Sequence, residues 1–65
     1  MAETELQMAH RHAAQAEHLV SKQEEVIDRL HGQGTLLEQA KELLDTLQHT
    51  LRLAREHVAR LEAMR

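Results

Sequence analysis

The sequence predicts an all-α fold: an antiparallel two-helix hairpin, with helices at about residues 4–31 and 35–64. Three observations carry that expectation. Two glycines fall within three residues, at His31-Gly32-Gln33-Gly34-Thr35, in a chain with no proline. Apolar residues recur at alternating steps of three and four on both sides of that stretch. The two stripes also share one register, as shown below. The whole chain, 1–65, therefore reads as a single hairpin with its turn at 31–35.

The first helix is expected to start at Thr4. Thr4-Glu5-Leu6-Gln7 matches a capping box with Gln in the reciprocal place. From there Leu6, Ala9, Ala13, Ala16, Val20, Gln23, Ile27 and Leu30 form the stripe, with Gln23 as its one polar member. Arg29 and His31 suit the negative end of the helix dipole. Gln23 has two readings. A polar group in a seam can fix register. A Gln is also long enough to carry its amide out to solvent, as Lys does, and that reading is preferred here.

Glycine accepts the left-handed backbone that most residues avoid, so Gly32 is expected just past the end of the first helix. Thr35-Leu36-Leu37-Glu38 matches a second capping box, which places the next helix start at Thr35. A stop followed so soon by a start reverses the chain.

The second stripe is Leu37, Ala40, Leu44, Leu47, Leu51, Ala54, Val58 and Leu61. Arg60 and Arg65 lie near the C-terminal end, again with the favoured charge. Glu25–Arg29 and Glu56–Arg60 have the spacing of supporting ion pairs, worth about 0.3 kcal/mol each on an exposed face. Folding the stripes about the turn pairs Leu30 with Leu37, Gln23 with Leu44, Ala13 with Ala54 and Leu6 with Leu61. The residue numbers of every such layer sum to 67, so one register serves the whole hairpin.

The flanks of the seam differ. One carries His10, Glu17, Glu24, Lys41, Gln48 and Arg55, and Glu24 is expected to meet Lys41. The other carries His12, Leu19, Val26, Leu36, Leu43, Thr50, His57 and Met64. In an antiparallel pair the second set shares one side, so Leu19, Val26, Leu36 and Leu43 form an apolar patch near the turn. Chains below about 70–80 residues seldom stabilise themselves without a staple or partner. This one has no cysteine and hence no disulfide. The expected outcome is homo-oligomerisation through those four residues, most simply a homodimer forming a four-helix bundle. Met8 and Leu53 lie off the stripe and read as scattered exposed apolar residues.

Composition narrows the chemistry. Without Cys there is neither a thiolate metal site nor a thiol nucleophile, and no cofactor is expected. Without Phe, Tyr or Trp there is no stacking platform for single-stranded nucleic acid. Gly32 and Gly34 are spaced for a turn rather than for a phosphate. Ser21 and its neighbour His18 occupy different parts of the helix surface, and Glu24-Glu25 has no pocket to raise a carboxyl pKa. No enzymatic activity and no catalytic residue are expected. The formal charge of −3 is mild. The acidic opening Met1-Ala2-Glu3-Thr4-Glu5 does not read as a secretory signal. No apolar run approaches the length of a membrane span. A cytoplasmic protein without a membrane partner is expected.

Two alternatives concern ligands. Arg52, Arg55, Arg60 and Arg65 make the C-terminal arm mildly basic, which admits a nucleic-acid-binding bundle, although these arginines point in several directions. The six histidines admit a metal-binding bundle, yet no two stand three or four apart, as ligands on one helix face would. His12 and His57, facing each other on the apolar flank, are instead expected to form a pH-sensitive pair that repels when protonated, near the free imidazole value of about 6.5.

In length and outline the chain resembles the repressor-of-primer class of small plasmid proteins. That resemblance implies a hairpin dimer forming a four-helix bundle that binds paired RNA loops, and no residue motif transfers with it. Glu42 to Leu61, ELLDTLQHTLRLAREHVARL, is similar to the C-terminal arm of short uncharacterised bacterial two-helix proteins, which implies no activity.

Overall fold

The computed structural model describes residues 2–64, and Arg65, assigned above to the second helix end, lies outside them. Two helices make up the fold, α1 over Glu5–Arg29 and α2 over Gly34–Ala63. They lie antiparallel in a slab measuring 49 × 22 × 12 Å. The radius of gyration is 15.1 Å, against about 11 Å for a compact domain of this length. The hairpin is thus a thin, elongated object with a seam in place of a core.

The α1 start is as expected. Thr4 is the N-cap: its hydroxyl accepts from the Gln7 amide at 3.0 Å, and the Thr4 amide donates to Gln7 Oε1 at 2.9 Å. Arg11 reaches back with two guanidinium nitrogens to the Glu3 carboxylate, at 3.0 and 3.2 Å. Those hydrogen bonds and the carboxylate charge raise the Arg11 pKa above its ordinary value.

The turn is tighter than expected. α1 ends at Arg29, with Leu30 as C-cap, so His31 lies in the turn and not in the last helical turn. The Gln33 amide donates to the Leu30 carbonyl at 3.1 Å, and Gly32 has φ +77°. No other described residue has positive φ. This combination marks a type II turn over Leu30–Gln33, in which the third position requires a left-handed residue.

The capping box expected at Thr35 does not form. α2 begins one residue earlier, at Gly34, with Gln33 as N-cap and no side-chain cap. The Leu37 amide donates to the Gln33 carbonyl at 2.8 Å, closing the first helical turn on the residue that ends the type II turn. Thr35 already has helical backbone there, so its hydroxyl is not placed to accept from the first free amides.

Burial follows the two stripes without exception. Ala9, Ala16, Ala40, Leu51, Val58 and Leu61 are buried, and the other ten stripe residues are half-buried. Every other described residue is exposed. Leu6, Ala9 and Ala13 pack with Val58 and Leu61, as the register requires at the open end. Toward the turn, Gln23 corrects the solvent-reaching reading. It is half-buried, and its Nε2 donates to the Ala40 carbonyl at 2.9 Å. That carbonyl points along α2 toward Leu44, the residue set opposite Gln23. The one polar stripe position therefore ties the two helices together.

Candidate interaction face

On each helix, the position one turn before a flank residue lies beside it, a little further from the seam. Met8 of α1 and Leu53 of α2 occupy such positions, next to His12 and His57 of the apolar flank. The large apolar residues that stay exposed are Met8, Leu19, Val26, Leu36, Leu43, Leu53 and Met64. All seven therefore belong to one broad face of the slab. Met8 and Leu53 are therefore not scattered: they stand one row outside the positions directly beside the stripe, on the same side as the other five.

The four residues expected to form the patch are Leu19, Val26, Leu36 and Leu43, which are 50, 39, 52 and 49% exposed. An open hollow lined by Leu19, Val26, Leu43 and Leu47 joins the two helices on this side, with Lys22, Glu25 and Arg29 as its charged residues. Residues of α1 and α2 thus contribute to one continuous surface. His12 and His57 are exposed on the same face, further toward the open end.

The opposite face carries Glu17, Glu24, Lys41 and Arg55. Glu17 and Arg55 meet there at 3.8 Å across the helices. The expected Glu24–Lys41 contact is absent, as are Glu25–Arg29 and Glu56–Arg60; among the described residues the ion pairs within 4.0 Å are Glu3–Arg11 and Glu17–Arg55. Exposed pairs of long side chains gain only about 0–1 kcal/mol, so spacing alone does not hold them together.

The ligand alternatives find no assembled site in the single hairpin. No group of three or more metal-capable side chains occurs among the described residues. The arginines of α2 do not form one stripe. Arg55 turns to Glu17, Arg52 donates to Nδ1 of His49 at 2.8 Å, and Arg60 lies on the apolar side. Neither helix is long and apolar enough to cross a membrane. The hairpin matches the outline implied by the repressor-of-primer resemblance, but nothing ties the chain to that class or to the short bacterial two-helix proteins. Comparison with family models, curated proteins and solved structures finds no match for this chain.

Proposed function

We propose that this chain is a non-catalytic, self-assembling structural module, and that two hairpins pack apolar face to apolar face as a four-helix bundle. The observation that carries the reading is the segregation of all seven exposed large apolar residues onto one face. A contiguous apolar surface of this kind marks a contact.

Surface area supports a second copy as the occupant. The single hairpin exposes 5108 Å². A compact folded monomer of 7.5 kDa would expose about 4,200 Å². The excess, about 900 Å², is close to the 800 Å² or so that each partner buries in a standard protein interface. One face of the slab, at 49 × 22 Å, is large enough to supply it.

Sedimentation equilibrium across a dilution series tests the reading. The wild type should run at twice 7.5 kDa and dissociate on dilution. Leu43→Glu, on the apolar face, should give single or unfolded chains at every concentration. Gln48→Glu, on the opposite face, should still pair. A helical wild type of single-chain mass throughout would refute the proposal. So would a Leu43→Glu variant that pairs as tightly as wild type. Helical single chains captured by anionic vesicles would assign the face to lipid instead.

A further inference from the structure

We propose that Met8 and Met64 make up a reversible oxidation site, through which a hydroperoxide controls pairing of the apolar face. This rests on the self-assembly reading above and adds its regulation, whichever way the second copy runs.

Both side chains belong to the apolar face, and both are exposed in the single hairpin, at 41 and 74%. They lie toward its open end: Met8 is in the first turns of α1, and Met64 is the C-cap of α2. The chain has one further methionine, Met1, and no Cys, Trp or Tyr. Toward a hydroperoxide its reactive side chains are therefore the thioethers. Both described methionines carry that reactivity on the face that pairs.

The step is a two-electron oxygen transfer. A sulfur lone pair attacks one oxygen of hydrogen peroxide. The S–O bond forms as the O–O bond breaks, and the departing hydroxide takes up the remaining peroxide proton and leaves as water. Sulfur is oxidised and the peroxide is reduced. The product, methionine sulfoxide, is polar, and a sulfoxide reductase returns it to the thioether.

The hairpin's own packing is left alone. Ala9, Val58 and Leu61, which close the seam at this end, are buried and carry no sulfur. The face is what changes. The interface inferred above, about 900 Å² per copy, takes up most of a face measuring 49 × 22 Å. It therefore reaches Met8 in either direction of the second copy. A sulfoxide oxygen there gives up its water for a largely hydrocarbon surface, a loss of about tenfold in affinity. A symmetric pair holds the site twice, so oxidised Met8 weakens pairing about a hundredfold. Met64, more exposed and at the end of the helix, adds less. Because pairing covers the Met8 sulfur, the reaction takes place on the single hairpin.

Sedimentation equilibrium before and after hydrogen peroxide treatment tests the proposal, with oxygen uptake located by peptide mass spectrometry. Oxidised wild type should pair about a hundredfold more weakly, and a methionine sulfoxide reductase should restore it. Met8→Leu/Met64→Leu keeps the size of both side chains and should pair before and after treatment alike, although Met1 is still oxidised. Uptake at Met8 should slow as protein concentration rises through the pairing range. Oxidised wild type that pairs as tightly as untreated protein overturns the proposal and leaves self-assembly standing. So does a double variant weakened as much as wild type, or uptake at Met8 that ignores concentration in a protein that pairs. Single-chain mass before any treatment overturns the self-assembly reading itself.

Discussion

The two glycines give a matched pair of substitutions with effects of opposite sign. Gly32 sits at φ +77°, and a Cβ there would meet nothing within 4 Å. Any cost of Gly32→Ala is therefore purely a backbone cost, about 1–2 kcal/mol for an L-residue held in the left-handed region. Reduced freedom of the unfolded chain returns about 0.5 kcal/mol, leaving a net loss of about 1 kcal/mol. Gly34 occupies the first position of α2, has no positive φ and is likewise surrounded by open space. There an alanine carries no penalty, and Gly34→Ala should stabilise by about 0.5–1 kcal/mol. For a chain this short, 1 kcal/mol corresponds to about 4–8 °C in Tm. Thermal unfolding followed by far-UV circular dichroism, at one protein concentration because assembly shifts Tm, should thus show Gly32→Ala below wild type and Gly34→Ala above it. Equal shifts for the two variants, or a Gly32→Ala protein as stable as wild type, would refute the type II turn.

Other expectations follow from particular contacts. Thr4→Ala removes the only side-chain cap seen on either helix and should cost about 1 kcal/mol, read as a lower urea midpoint, whereas Thr35→Ala, inside α2, should change it by less than about 0.5 kcal/mol. Gln23→Ala loses the bridge to the Ala40 carbonyl and opens the seam, and a cost of about 1–2 kcal/mol is expected in the same assay.

The hairpin was legible because its seam obeys one rule from end to end. Each residue from Leu6 to Leu61 that the three-four spacing selects is half-buried or buried, and the constant register follows from the same numbers. Three features escaped for different physical reasons. Thr35-Leu36-Leu37-Glu38 has the letters of a capping box, but the helix start is set by where the preceding turn closes, and that depends on Gly32 and Gln33. Spacing places Gln23 in the seam but says nothing of which way a long amide leans; the Ala40 carbonyl decides it. Glu24 and Lys41 face the same flank, yet water competes for both, and the pair that forms joins Glu17 to Arg55 instead. The apolar face was seen in part. Leu19, Val26, Leu36 and Leu43 emerged from the flank pattern, while Met8 and Leu53 required placing the next row of each helix beside it.

Because Leu6 lies level with Leu61, the chain enters and leaves the hairpin at one pole, and Gly32 marks the other, at opposite ends of the 49 Å axis. The two poles can therefore be elaborated independently. A peptide spliced into the bend would project away from anything fused to the strand of chain before Thr4 or after Ala63.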